Sequence, residues 1–146
     1  MRIVPAELDH LDRLAPMFVH YRELYGAMPQ QAESKQYLAE RIKKHEAIIL
    51  LAFEADKLLG FCLVYPSFSS VSLRPIWILN DLYVIEGERR KKVAKQLLQA
   101  IAEQARANNV LRLRVSISAN NVIAQRLYES AKFIEDQRFR NYILLL

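Results

Sequence analysis

The stretch IWILNDLYVIEGERRKKVAKQLLQA, residues 76–100, decides the fold because it joins a buried strand to an amphipathic helix through a basic turn. The apolar run at 76–84 has the length and composition of a strand covered on both faces. From residue 88 onward the apolar positions recur at helical spacing. A strand that leads directly into a helix is typical of α/β proteins.

Four cations stand where this helix begins, at Arg89, Arg90, Lys91 and Lys92. The helix dipole places partial positive charge there, so each cation costs about a few tenths of a kcal/mol. The unpaired backbone N–H groups of a helix start are also ready donors for a phosphate. We therefore interpret the run as the site of a phosphorylated ligand. A solvated charge run and a nucleic-acid patch are the alternatives.

Outward from this stretch, the apolar spacing predicts the other elements. A first strand at 2–4 precedes helices at 7–25 and 31–44, and a hairpin spans 47–65. A loop at 66–74 leads into the strand at 76–84; after the helix come a strand at 111–118, a helix at 120–132 and one or two closing strands within 133–146. The predicted fold is one α/β (α+β) domain, residues 1–146, with a mixed, mostly antiparallel sheet of six to seven strands and four helices, in the order β-α-α-β-β-β-α-β-α-β(-β).

Composition narrows the class of protein. The 146 residues are 52% hydrophobic and 25% charged, as in a soluble globular domain. No apolar run is long enough to cross a membrane, and the start MRIVPAELDH reads as neither a signal nor a transit peptide. Cys62 is the only cysteine and the three histidines lack metal-ligand spacing, so we expect a cytoplasmic protein without a metal. The net charge of +5 allows a nucleic acid, a membrane surface or a phosphorylated ligand as the anionic partner.

The segment LYVIEGERRKKVAKQLL, residues 82–98, resembles the acyl-CoA-binding signature of the GNAT superfamily of N-acetyltransferases, with Arg89, Lys92 and Ala94 at signature positions. The resemblance implies acetyl-CoA as cosubstrate, with its pyrophosphate on residues 89–95 and its pantetheine arm along residues 82–84. The implied cofactor-binding residues are Leu82, Tyr83, Val84, Arg89, Arg90, Lys91, Lys92, Val93, Ala94, Lys95 and Asn121. Lys92 replaces the first glycine of the signature. We expect helical dihedral angles there, which any residue can adopt.

The segment NNVIAQRLYESAKF, residues 120–133, resembles a second motif of the same family. The matching positions are Asn121, Ala124, Leu127, Tyr128 and Phe133. The resemblance implies that Tyr128 is the general acid that protonates the departing CoA thiolate; a packing role is the alternative. Lys132 replaces a second glycine of the family, where we expect an effect on the helix C-cap rather than on the chemistry.

Two polar residues, Asn80 and Asp81, interrupt the apolar strand at 76–84. Successive strand residues point to opposite faces, so we expect only one of them to face a given site. Asp81 could attract an ammonium or hold a water that deprotonates it; hydrogen bonding to neighbouring backbone is the equal alternative. In polyamine-acetylating members of the family, the position of Asn80 is often a carboxylate.

The resemblance also implies an acceptor pocket near Tyr21, Glu23, Tyr25, Asn80 and the loop 66–74, as in the small-amine and polyamine subgroup. The predicted activity is direct transfer of an acetyl group from acetyl-CoA to a primary amine of a small molecule, with Tyr128 and Asp81 as catalytic residues. The alternatives are an acetyltransferase of protein amines, a non-catalytic acyl-CoA sensor and a nucleic-acid-binding module. We expect neither nucleic acid nor membrane as partner. The apolar end, 142–146, could be an internal strand or a dimer seam.

Overall fold

The computed structural model describes residues 1–88 and 92–146 in full, whereas the side chains of residues 89–91 lie outside the described part. The chain divides into two compact units, residues 1–116 and 117–146. The first unit holds β1 (Arg2–Pro5), α1 (Leu11–Leu24), α2 (Gln31–Lys43), β2 (Ile48–Glu54), β3 (Lys57–Ser69), β4 (Arg74–Val84), α3 (Val93–Ala107) and β5 (Leu113–Val115). Short 3-10 helices occupy Leu8–His10 and Glu86–Lys91. The second unit holds α4 (Val122–Ser130).

The five strands form one sheet in the order β1-β2-β3-β4-β5. The pairs β1–β2, β2–β3 and β3–β4 are antiparallel, and β4–β5 is parallel. The parallel pair is joined through α3, as a crossover connection requires. The predicted mixed, mostly antiparallel sheet with four helices is therefore confirmed, and so is the α/β class.

Helices cover both faces of this sheet. Leu14 and Phe18 of α1 and Leu38 of α2 pack with Phe53 and Phe61 of the sheet in one hydrophobic core. Helix α3 contacts β2, β3 and β4, and its apolar stripe is buried at Val93, Leu97, Leu98 and Ile101. A strand with both faces covered carries a continuous apolar run. This explains why β2, β3 and β4 do not alternate in sequence.

The strand count and the loop at 66–74 need correction. The described chain has five strands rather than six or seven, because residues 133–146 join no strand ladder. The apolar pattern of that segment predicts a strand, but a short apolar run indicates a preference for burial and does not fix the backbone conformation. The predicted loop is mostly strand, since β3 continues to Ser69 and pairs there with Arg74 of β4.

Helix α4 of the second unit has a defined cap at each end. The side chain of Asn121 accepts a hydrogen bond from the backbone N–H of Ala124 at 3.0 Å, which is the characteristic bond of an N-cap. At the other end, the N–H of Phe133 donates to the carbonyl of Tyr128 and that of Lys132 to the carbonyl of Glu129, at 2.9 and 3.0 Å. This pair of bonds is the Schellman motif, with Lys132 in the left-handed position at φ 72°. Lys132 therefore stands within the C-cap of α4, and its effect there rather than on the chemistry stays a prediction. The assignment of 1–146 to one domain stays a prediction.

Candidate active site

A carboxyl group of β4 meets a phenol of α1 at the centre of the candidate site. The Tyr21 hydroxyl donates a hydrogen bond to Oδ1 of Asp81 at 2.9 Å, and the amide of Asn80 donates to Oδ2 at 3.0 Å. Both carboxyl oxygens of Asp81 are therefore acceptors of side-chain donors. The alternative in which Asp81 bonds only to neighbouring backbone is wrong.

A β-bulge places Asn80 beside Asp81. Leu63 of β3 pairs with Asp81 and the next residue, Val64, pairs with Leu79, so Asn80 is an extra residue in β4. A bulge interrupts the alternation of side chains along a strand. Asn80 and Asp81 consequently line the same cleft. The expectation that only one of them could face a given site is wrong for this reason.

Burial sets the protonation of this pair. It raises the pKa of Asp81 above its ordinary value, while the hydrogen bonds from Asn80 and Tyr21 act in the opposite direction. The pKa of Tyr21 is also raised, first by burial and then by the negative charge of Asp81. Tyr21 therefore remains a neutral phenol that donates to the carboxylate.

The surrounding cleft has a volume of about 400 Å³ and is rich in aromatic side chains. We call it the tyrosine cleft; its lining consists of Phe18, Tyr21, Arg22, Gln30, Glu33, Ser34, Tyr37, Tyr65, Asn80 and Asp81. The hydroxyl groups of Tyr37 and Tyr65 form a short hydrogen bond with each other. The ring of Phe18 stacks on that of Tyr37 with centroids 6.3 Å apart. The guanidinium of Arg41 also lies over the ring of Tyr37, 4.5 Å from its centroid.

The predicted substrate residues divide between this cleft and the surface. Tyr21 and Asn80 line the cleft, whereas Glu23 and Tyr25 do not. Glu23 is two residues from Tyr21 on α1, so the two side chains lie on different faces of the helix. The ring of Tyr25 lies 5.0 Å from that of Tyr21 but is 74% exposed.

Two lining tyrosines, Tyr37 and Tyr65, were not predicted. In the sequence, Tyr37 lies within the helix predicted at 31–44 and Tyr65 lies at the end of the hairpin predicted at 47–65. No single local signal could have found both, because Tyr65 ends an apolar run whereas Tyr37 stands within a mostly polar helix.

Along its other edge, β4 pairs with β5 over only part of its length. The ladder with β5 covers Trp77–Leu79, whereas the ladder with β3 continues to Val84. The predicted pantetheine-binding residues Leu82, Tyr83 and Val84 lie in this continuation. The side chain of Tyr83 is buried against the rings of Tyr21 and Phe61, so a ligand there would meet the backbone of β4 rather than this side chain.

The basic turn follows β4 directly. The 3-10 helix Glu86–Lys91 leads into α3, and Lys57 holds this turn to β3 through an ion pair with Glu88 at 3.2 Å. No acidic residue occupies the first turn of α3, where Val93, Ala94 and Lys95 stand. Unsatisfied N–H groups at such a helix start are donors for a phosphate. The predicted roles of Arg89, Arg90 and Lys91 fall on side chains outside the described part.

The predicted backbone conformation of Lys92 is wrong. This residue is the N-cap of α3 with φ 61° and ψ 23°, in the left-handed region, and not in the helical region that the sequence predicted. A side chain with a Cβ costs about 1–2 kcal/mol in this region, which glycine enters freely. The glycine of the family signature is thus favoured at this position by the backbone itself.

Tyr128 belongs to the second unit and is buried, with 8% of its surface exposed. Its ring meets that of Phe133 edge-on at 5.2 Å, the hydrophobic contact that accompanies a Schellman motif. Asn121 stands at the opposite end of α4 as its N-cap. Within this unit, packing accounts for the ring of Tyr128; its role as general acid and the contact of Asn121 with a cofactor stay predictions.

Cys62 is not suited to covalent chemistry. Its side chain is fully buried in β3, and burial raises the pKa of the thiol to about 12, so the reactive thiolate is scarce. Among residues whose side chains are described, no group of three or more His, Cys, Asp or Glu could hold a metal ion. No helix in the described part of the chain has both the length and the apolar character needed to cross a membrane.

Comparison with known proteins gives a consistent result. Residues 14–133 match the model of the acetyltransferase (GNAT) family. The chain is 36% identical over 144 residues to the uncharacterized N-acetyltransferase YhfO of Bacillus subtilis, covering 99% of this chain and 97% of that protein. A thialysine N-epsilon-acetyltransferase of Caenorhabditis elegans is 24% identical over 137 residues, 90% of this chain and 82% of that protein. The crystal structure of a probable acetyltransferase superposes with a TM-score of 0.96 at 51% identity, covering 100% and 98% of the two chains.

Proposed function

The chain belongs to the acetyltransferase (GNAT) family and is an acetyltransferase, and from this premise we propose that it moves the acetyl group of acetyl-CoA to the primary amine of a small cationic molecule. The observation that carries the proposal is Asp81, a half-buried carboxyl group held by Tyr21 and Asn80 inside the tyrosine cleft. A carboxylate among aromatic rings suits an ammonium group, through charge and through the faces of the rings.

The cofactor fits the opposite side of β4. β5 pairs with β4 only as far as Leu79, so residues 82–84 of β4 extend past this pairing and lead into the basic turn. The first turn of α3 carries no carboxylate that would repel a phosphate. Residues 82–84 would hold the pantetheine arm and residues 89–95 the pyrophosphate, with Asn121 as a further contact. When bound, acetyl-CoA supplies the activated acetyl thioester.

The side chains of the cleft prepare the amine. The ionised carboxylate of Asp81 attracts the substrate ammonium, and Tyr21 and Asn80 fix the direction of its two oxygens. Because burial raises the pKa of Asp81, this carboxylate is a stronger base than an exposed aspartate. It takes one proton from the ammonium and leaves a neutral, nucleophilic amine.

Transfer then needs two further contributions from the chain. Backbone N–H near Val84 polarises the carbonyl under attack, and the Tyr128 hydroxyl provides the proton that the departing sulfur takes up. A carbon–nitrogen bond forms as the carbon–sulfur bond breaks, with no covalent enzyme intermediate, and the second proton that the nitrogen loses restores the Tyr128 hydroxyl. Holding the two reactants together provides much of the acceleration.

The activity test combines binding and turnover. A thermal-shift titration with acetyl-CoA should stabilise the protein by about 2.7 kcal/mol at 100 times the Kd, or about 5–10 °C for a chain of this size. Acetylation is then measured over a panel of diamines and polyamines, free amino acids, and peptides with a lysine or a free N-terminus. Tyr128→Phe should lower kcat by about 10²-fold or more while leaving the thermal shift intact.

Each rival function gives a different result. Stabilisation by acetyl-CoA without transfer to any amine favours a non-catalytic acyl-CoA sensor. Preference for the peptides over all small amines favours a protein acetyltransferase. Salt-dependent DNA binding without stabilisation by acetyl-CoA favours a nucleic-acid-binding module.

A further inference from the structure

The tyrosine cleft contains a pair of hydroxyl groups that the proposed transfer does not use. The hydroxyls of Tyr37 and Tyr65 share a short hydrogen bond in which either oxygen could be the donor. Because each hydroxyl carries one proton, one proton lies between the two oxygens and the other points elsewhere. The tyrosine that keeps this second proton decides what the pair offers to a ligand.

Two charges set the direction of this hydrogen bond. The guanidinium of Arg41 lies 4.5 Å from the centroid of the Tyr37 ring. The pKa of Tyr65 is raised by burial, by the hydrogen bond with Tyr37 and by the negative charge of Asp81. A cation is thus next to Tyr37, and an anion acts on Tyr65. Hydroxyl dipoles orient in such a field, so the Tyr37 proton lies in the shared bond and the Tyr65 proton points into the cleft.

The register of the sheet places Tyr65 close to Asp81. Leu63 of β3 pairs with Asp81 of β4, and Tyr65 follows two residues later, on the same face and roughly 7 Å further along the strand. Leu63 and Tyr65 both pack in the core beneath α1 and α2, and Tyr65 and Asp81 both line the cleft. A small molecule whose ammonium is held by Asp81 can therefore reach the Tyr65 hydroxyl with a second polar group.

The charges of the cleft favour a neutral oxygen as that second group. Glu33 adds another carboxyl group to the lining, so an anionic substrate group would meet two like charges. The guanidinium of Arg22 is engaged by four acceptors within residues 28–34, and that of Arg41 pairs with two glutamates at 3.2 and 3.1 Å. A second ammonium would place positive charge against the Tyr65 proton. A neutral hydroxyl oxygen meets neither obstacle.

We propose that Tyr65 selects the acceptor amine by donating a hydrogen bond to a neutral hydroxyl oxygen of that amine, so that the substrate is an amino alcohol. This inference rests on the proposed function, since Asp81 must hold the ammonium. Tyr65 determines specificity, and Tyr37 and Arg41 are positioning residues that act through it. A site that hydrogen-bonds a substrate hydroxyl discriminates against the analogue without one, because its own polar group then loses its partner.

The first experiment compares amines that share one linear five-carbon chain and differ only at the far end. These are 5-aminopentan-1-ol, pentylamine, 1,5-diaminopentane and 5-aminopentanoate, each measured with the wild-type chain at saturating acetyl-CoA. We expect kcat/KM for the amino alcohol to exceed that for each of the others by about 10-fold, the contribution of one hydrogen bond. The difference should lie mainly in KM, because the bond exists before the transition state is reached.

The second experiment removes the hydroxyl of Tyr65. Tyr65→Phe keeps the ring, and the ratio of kcat/KM for 5-aminopentan-1-ol to that for pentylamine should fall to about 1, which is the loss of one hydrogen bond. The matched control is Tyr25→Phe, the same chemical change at a ring that does not line the cleft; this variant should keep the ratio of the wild type. Both rates are measured on one preparation, so the ratio does not depend on the fraction of folded protein.

The third experiment tests the positioning role of Arg41. Arg41→Gln removes the positive charge beside Tyr37, so the shared hydrogen bond can reverse and occupy the Tyr65 proton. The ratio should then fall by about 3-fold, part of the contribution of one hydrogen bond, whereas Arg41→Lys keeps the charge and should retain most of the ratio. A purely structural role of Arg41 would lower both rates alike and leave the ratio unchanged.

Some results would overturn this inference and leave the proposed function intact. These are equal transfer to the amino alcohol and to pentylamine, a preference that survives Tyr65→Phe, and faster transfer to the diamine or to the amino acid. Transfer to none of the amines, at an acetyl-CoA concentration that stabilises the chain, would instead overturn both the inference and the proposed function.

Discussion

The tyrosine cleft and the basic turn both adjoin β4, yet they are built in opposite ways. In the cleft, side chains from α1, α2, β3 and β4 meet across long separations in sequence, as Tyr21 meets Asp81. In the turn, one continuous segment from Glu86 to Lys95 presents backbone groups at a helix start. The comparison teaches that the cleft depends on the chemistry of individual side chains, whereas the turn depends on backbone shape. Substitutions in the two regions should therefore have different effects on activity, stability and binding.

The largest effect is expected in the cleft. Asp81→Asn keeps the shape of the side chain but removes its charge and its capacity to take a proton. We expect kcat/KM for a cationic amine to fall by about 10²–10⁴-fold, the usual contribution of a general base. The thermal shift caused by acetyl-CoA should be unchanged. Asp56→Asn, on the exposed turn between β2 and β3, makes the same chemical change away from the cleft and should retain activity; equal losses in both variants would refute the role of Asp81.

The next effect is on the pH dependence. Burial raises the pKa of Asp81 above 3.8, and amine binding needs the carboxylate, so kcat/KM should fall with decreasing pH while exposed aspartates are still ionised. The sign for stability is the reverse. A raised folded-state pKa means that the folded protein binds the extra proton, so this contribution is fully present below 3.8 and is lost as pH rises through the folded pKa. Urea unfolding at several pH values should therefore show the wild type losing stability relative to Asp81→Asn as pH rises. A difference that does not change with pH would contradict the raised pKa.

The same contrast explains how much could be predicted from the sequence. The basic turn is contiguous, so its strand, turn and helix could be inferred from residues 76–100 alone. The cleft is not, and Tyr37 and Tyr65 were missed because no local pattern connects them. Asn80 and Asp81 are recognisable in the sequence as polar residues in an apolar strand, but their common orientation depends on a bulge opposite Leu63 and Val64. One extra residue in a ladder leaves no mark in the sequence of a single strand.

The backbone conformation of individual residues is the second feature that the sequence does not predict. Hydrophobic spacing predicts which residues are helical, and α3 begins close to the expected position. It does not predict the dihedral angles of the residue before the helix, and Lys92 proved to be left-handed. The prediction of a closing strand within 133–146 is wrong for a related reason, since an apolar segment indicates a preference for burial but not the surface that provides it.

The smallest effect tests the backbone half of the comparison through two lysines that stand at family glycine positions. Lys92 and Lys132 both have positive φ, 61° and 72°. Replacing either by glycine removes about 1–2 kcal/mol of strain, partly offset by the greater entropy of glycine in the unfolded chain. We expect each variant to be more stable by about 0.5–1 kcal/mol in thermal unfolding. Lys95→Gly, at a right-handed position in the first turn of α3, should instead lose up to about 1 kcal/mol.

Ligand binding separates the two lysines. Lys92→Gly removes a Cβ and an ammonium from the proposed pyrophosphate site, so its affinity for acetyl-CoA should change, whereas Lys132→Gly alters only the cap of α4. Titrations of both variants with acetyl-CoA measure this difference. Since glycine lets a phosphate approach the backbone more closely, tighter binding by Lys92→Gly would mean that the turn acts through backbone N–H groups; weaker binding would mean that the lysine charge contributes more than the shape. Unchanged binding would place the pyrophosphate elsewhere, and the contrast between a side-chain site and a backbone site on β4 would then no longer hold.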